Sequence, residues 1–202
     1  MKKSLKTCAW EGVRRSLHSG SCRRAAVVLL ACFYLMQSGA VYPQTGTSAE
    51  YKEYEVKVTW LFQLLTYVEW PAHALPPENS ALTIGVLGEN PFGDALSFLA
   101  EKNVKGRRIV IKQLSNASDG DDCQLIFIGA SEKERLPQIL ESLKRTAVLT
   151  VGEIPGFAKR GGIVNLDWKG TRIELEINHA VAQRSGFTIS PQLLKKARLV
   201  DT

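Results

Sequence analysis

The sequence predicts an α/β domain: a mostly parallel, doubly wound sheet with an antiparallel hairpin at its edge and helices on both faces. Three observations carry this. Residues 82–87 and 123–128 are uncharged, largely apolar runs of strand length, the pattern of strands covered on both faces. Helical stripes alternate with such runs along the chain. Lys169-Gly170 separates two strand-like segments, 163–168 and 171–177, as a hairpin turn would.

The first element spans 50–68, where Tyr54, Val58, Leu61, Leu65 and Val68 recur at spacings of three and four, widened by Phe62 and Leu64. Pro71 ends this helix because it has no backbone N–H to donate, and Glu69-Trp70 form the exit. The strand at 82–87 closes at Gly88. Asn90 can then cap a helix with Pro91 at its first position and Ala95, Leu96 and Leu99 on its inner face. Residues 108–114 alternate weakly as a second strand, and 123–128 form the third. Ser131 with Glu134 has the form of a capping box, opening a helix with Leu136, Ile139, Leu140 and Leu143 inward. A fourth strand at 147–151 precedes the hairpin. A helix from about Asn178 ends at Gly186, and Ser190-Pro191 opens a last helix carrying Leu194, Ala197 and Leu199.

Composition narrows the function. The 202 residues are 45% hydrophobic and 23% charged, as in an ordered globule. Basic residues number 26 and acidic ones 20, but seven basic residues and one acid fall in 1–40. Residues 41–202 therefore hold 19 of each, and no bulk charge favours a nucleic-acid partner.

The leader reads as an export signal. Residues 25–36 are uncharged and follow Arg23-Arg24. Twelve helical residues reach about 18 Å, short of the roughly 30 Å hydrocarbon core. Ser38-Gly39-Ala40 supplies small residues for cleavage, giving a signal peptide at 1–40, a linker at 41–49, a domain at 50–202 and a periplasmic destination. Leu29-Leu30-Ala31-Cys32 also has the form of a lipobox, though the apolar run continues past Cys32. Arg14-Arg15 could mark a twin-arginine signal but lies nine residues upstream of that run, and the long basic segment leaves room for a downstream start. Cys8, Cys22 and Cys32 leave with the leader, so Cys123 alone remains. It cannot form an internal bridge and reads as a small buried hydrophobe.

Catalytic patterns are weak. Gly129-Ala130-Ser131 lies between strand and helix, with Asp167 and His179 following in hydrolase chain order. Lys133, however, stands where a nucleophile elbow needs a small residue, and the cap already accounts for Ser131. His73 and His179 are too few for a metal site, and Asp119, Asp121 and Asp122 read as a solvated loop. No catalytic residue, metal or cofactor is expected. The turn at 88–93 (Gly88, Asn90, Phe92, Gly93) sits where doubly wound sheets bind ligands but has no phosphate-loop spacing. It is either a small-ligand site or a tight turn packing Phe92. Trp70, beside Pro71, and Phe157, in the Gly-rich loop 154–162, are loop aromatics that serve an interface or plug the core.

Six segments resemble the YfiR family: FQLLTYVEWP (62–71), LTIGVLGENPFGDAL (82–96), VKGRRIVI (104–111), CQLIFIGASE (123–132), LTVGEIPGFAKRGGIVNL (149–166) and INHAVAQRSGFTISPQLLKKARLV (177–200). They span nearly the whole domain in the family's order. The resemblance implies a non-catalytic periplasmic repressor that binds the periplasmic domain of an inner-membrane diguanylate cyclase and lowers cyclic-di-GMP signalling. It also implies relief by an outer-membrane lipoprotein, an α/β fold and a homodimer. Glu69, Trp70, Pro71, Arg107, Phe157 and Asn178 are the partner-binding or motif-core candidates. Members controlled through an internal disulfide need two mature cysteines, and this chain has one. The alternative is a periplasmic small-ligand-binding module using Gly88, Asn90, Phe92 and Gly93.

Overall fold

The architecture is that of a computed structural model, which describes residues 48–201 except 79 and 145. The proposed signal peptide, Cys32 and nearly all of the linker lie outside the described residues. Helix α1 (Ser48–Tyr67) opens the domain and buries Val58, Leu61, Leu64 and Leu65. Beyond it, Val68–Glu69 form a two-residue strand, β1, where the sequence suggests only a helix exit. β1 pairs antiparallel with β9 (Thr188–Ile189) in a small second sheet.

The main sheet has eight strands in the order β10-β8-β7-β6-β5-β2-β4-β3. Its parallel centre is β2 (Leu82–Leu87), β4 (Arg107–Leu114), β5 (Leu125–Ile128), β6 (Leu149–Gly152) and β7 (Val164–Trp168). The hairpin strand β8 (Ile173–Ile177) runs antiparallel to β7. Apolar clusters cover both faces, as the continuous apolar strands require. Ile84, Val86, Phe127 and Val151 pack toward α1, while Ile126 and Ile128 pack toward α3 (Leu136–Leu143).

Several local expectations are corrected. The hairpin connection is four residues, not two: β7 ends at Trp168, β8 starts at Ile173, and Lys169 N–H donates to Arg172 O at 2.9 Å. Nor is the hairpin the sheet edge. Residues after α5 (Pro191–Leu194) do not continue as helix but form β10 (Ala197–Leu199), which pairs parallel with β8. Long-range pairing with the open edge of β8 overrides the local helical spacing of Leu194 and Ala197.

Asn90 does not cap a helix starting at Pro91. Its Oδ1 accepts from Phe92 N at 3.0 Å within a turn, and Gly93 takes φ +51°. A single 3-10 turn (Gly93–Leu96) leads instead into the short α2 (Ser97–Ala100). Ser131 and Glu134 form no capping box either. Pro137 lacks a backbone N–H and is tolerated only in a first turn, so α3 begins at Leu136 and residues 130–132 make a separate turn. A capping box does occur at Asn116 and Asp119, so Asp119, expected in a solvated loop with Asp121 and Asp122, has a structural role.

The short β3 (Asn103–Val104) makes the true two-residue hairpin, reaching β4 through Lys105 and Gly106 at φ +51° and +78°. Both turn residues are left-handed, as a twist-matched hairpin turn requires. Helix α4 (His179–Arg184) follows expectation: Asn178 Oδ1 accepts from Val181 N at 3.0 Å, and Gly186 ends it at φ +82°.

Candidate functional site

The six partner-binding or motif-core candidates separate into two groups. Glu69, Trp70 and Arg107 line one cleft of about 310 Å³ at the amino-terminal ends of β2 and β4, together with Leu65, Leu75, Leu82 and Lys105. Pairing of β1 with β9 turns Trp70 inward, where it is 8% exposed. Its Nε1–H donates to Gln124 O at 2.7 Å, and its ring meets Phe187 edge-on with centroids 6.1 Å apart. Lys105 donates to Val68 O at 2.9 Å and holds its ammonium 5.9 Å from the Trp70 ring centroid. Arg107 donates to Pro77 O at 2.7 Å and to Ser80 O at 3.4 Å, tying the loop after α1 to β4. Pro71 borders Gly186, where an added Cβ would lie 3.3 Å away. Glu69 stays exposed at the mouth. Lys105 was missed by the sequence reading, although Lys-Gly ahead of a strand was the available signal.

Phe157 and Asn178 form the second group. Phe157 is fully buried, so it plugs the core. A Cβ at Gly152 would stand 2.5 Å from its ring and one at Gly162 2.1 Å, so these glycines make room for the phenyl. Asn178, also fully buried, brackets two elements. Its Nδ2 donates to Ala158 O at 2.9 Å, and its Oδ1 caps α4.

In the 88–93 turn three backbone groups and one side-chain oxygen are engaged within the fold. Gly88 O accepts from Gln113 Nε2 at 2.6 Å, and Phe92 is buried edge-on between Tyr54 and Phe127. Glu89 N–H donates to Ser131 Oγ at 2.9 Å, while Asp167 pairs with Lys169 at 2.6 Å, so the hydrolase arrangement is not assembled.

At the carboxyl ends of β5 and β6 lies a charge cluster that sequence reasoning missed. Lys57, 2% exposed within the apolar face of α1, donates to Glu53 and, at 2.5 Å, to Glu153. Glu153 also accepts from Ala130 N at 3.2 Å, and the ammonium sits 4.5 Å from the Tyr54 ring centroid. The i,i+4 pair of Glu53 and Lys57 on an apolar stripe was the available signal. The chain thus fills part of its own carboxyl-edge crevice with a buried ion cluster.

Cys123 is buried, and burial pushes its thiol up to about 11. The hydrogen bond between Lys112 and Asp122, at 3.0 Å, raises the lysine and holds the carboxyl below its ordinary value. Among the described residues no group of three or more His, Cys, Asp or Glu could hold a metal ion. No helix among them is long and apolar enough to cross a membrane.

A family profile described as YfiR/HmsC-like matches residues 54–198, which takes in both groups. The chain belongs to the YfiR/HmsC-like family. Its members are periplasmic regulators. Among solved structures, this YfiR/HmsC-like chain is similar to a conserved domain protein from Vibrio cholerae O1 biovar El Tor, at 16% identity and TM-score 0.48, over 70% of this chain and 59% of that one. It is also similar to an ABC domain in complex with L-Trp from Streptococcus pneumoniae, at 14% identity and TM-score 0.45, over 63% and 57%. A third is the ligand-free, open form of a substrate-binding protein with adhesive properties from Clostridium difficile, at 13% identity and TM-score 0.43, over 60% and 55%. The chain spans less than two thirds of the length of each of these structures.

Proposed function

We propose that this protein is a periplasmic regulator that binds the periplasmic domain of an inner-membrane diguanylate cyclase, inhibits the enzyme and so lowers cyclic-di-GMP. The match of the YfiR/HmsC-like profile across 54–198 carries this reading. The two groups of candidate residues divide its work. The Trp70 cleft offers a mouth with exposed Glu69, the aliphatic Leu75 at 37% exposure and the ammonium of Lys105, a mix of apolar and charged groups suited to a reversible protein contact. Phe157 and Asn178 hold the scaffold and do not touch the partner. An outer-membrane lipoprotein competes for the same protein and relieves the inhibition.

Deletion of the gene should raise cellular cyclic-di-GMP, and complementation should reverse it. Glu69→Lys combined with Leu75→Glu should fold normally yet fail to restore the low level or to co-purify with the cyclase's periplasmic domain. An unchanged level on deletion would overturn the regulatory reading. Full repression by the double variant would overturn the cleft assignment alone.

A further inference from the structure

We propose that a second cleft, between α3, the 158–160 turn and α4, binds a small organic anion that has an apolar body. The cleft holds about 480 Å³, within the range of small-molecule sites. Its rim carries three cations, Lys144, Arg160 and Arg184, and no acidic side chain lines it among the described residues. Residues 41–202 hold equal numbers of basic and acidic residues, so this is a local concentration of positive charge in a neutral domain. Lys144 pairs with Glu141, whereas Arg160 and Arg184 make no ion pair among the described residues. Two free guanidiniums facing one concavity suit a carboxylate or phosphate head, which each can engage through paired donors. Val148, Ile163 and Val181 line it beside Thr146, Thr150 and Ser185, so the cleft offers an apolar wall as well as cations and hydroxyls, and the occupant needs more than an anionic head.

The cations stand on anchored backbone. Arg160 N–H donates to Gly156 O at 3.0 Å, and Gly161 ends that turn at φ +102°. Arg184 closes α4, whose first turn is capped by Asn178. Because Asn178 also donates to Ala158 O, one buried side chain fixes the Arg160 turn against the Arg184 helix. The distance between the two guanidinium mounts is thereby set before any ligand arrives, and this lowers the ordering cost of binding.

The test uses the purified protein and amide NMR shifts, so it is read independently of cyclic-di-GMP levels. Three probes separate the contributions: phenyl phosphate as head with body, inorganic phosphate as head alone, and benzyl alcohol as body alone. Phenyl phosphate should give saturable shifts at Thr146, Gly161 and Ser185, tightest of the three and weakened by added salt. Arg160→Glu with Arg184→Glu should weaken it at least about tenfold, while Lys195→Glu with Lys196→Glu, an equal charge change elsewhere, should leave it unaltered. If the glutamate pair fails to fold, Arg160→Gln with Arg184→Gln serves in its place. Absence of saturable phenyl phosphate shifts would overturn the proposal. So would equal weakening by the two charge-reversed pairs, or inorganic phosphate binding as tightly as phenyl phosphate.

Discussion

Replacing Asn178 by alanine is expected to cost about 2 kcal/mol, because the side chain makes two separable contributions. Its Nδ2–H bond to Ala158 O is buried and 2.9 Å long. That carbonyl keeps a second, longer bond from Gly161 N at 3.3 Å, so the loss is about 1 kcal/mol rather than the full cost of an orphaned acceptor. Its Oδ1 caps α4 through Val181 N at 3.0 Å, and a lost cap costs about 1 kcal/mol more. For a domain of this size the sum lowers the melting temperature by about 4–8 °C. Asn178→Ser retains a capping oxygen but cannot reach Ala158, so it should recover about half the loss. Urea unfolding of wild type, Asn178→Ala and Asn178→Ser reads these steps. A loss below about 0.5 kcal/mol for alanine, or a serine variant no better than alanine, would refute the two-part assignment.

Three further outcomes follow from the same reasoning. Lys57→Met leaves Glu53 and the buried Glu153 facing each other and should destabilise by about 3 kcal/mol; adding Glu153→Gln should recover part of it, and a double variant no more stable than the single one would refute the cluster. Trp70→Phe removes the Nε1 donor to Gln124 O, which retains Leu149 N at 3.0 Å, together with part of the buried indole, so unfolding should show about 2 kcal/mol lost against about 3 or more for Trp70→Ala. The thiol of Cys123 ionises near 11 in the fold against an ordinary 9.0. The unfolded chain then loses its proton first, so stability falls as pH rises from 9 toward 11, and Cys123→Ala should show a shallower fall; equal slopes in urea titrations across that range would contradict it.

The legible part of this protein was the part written in local pattern. The stripe of Val58, Leu61 and Leu65 located α1, the apolar run at 82–87 located β2, and Asn178 and Gly186 marked the ends of α4. Each depends on neighbours within a few residues, where spacing and capping chemistry act directly. The candidate residues were legible as motif positions, but their roles were not. Trp70 and Phe157 looked alike as loop aromatics, yet Trp70 lines a cleft and Phe157 plugs the core against Gly152 and Gly162.

What only the tertiary structure decided depends on distant partners. β1 and β9 exist because residues about 120 apart meet, and β10 because the edge of β8 was open to pairing. The burial of Lys57 follows from Glu153, 96 residues away, whose carboxylate arrives at the end of β6. The gathering of Lys144, Arg160 and Arg184 likewise comes from three separate elements. A sequence states the chemistry of each side chain and the period of its neighbours; which chemistries face one another is settled when the sheet fixes its strand order.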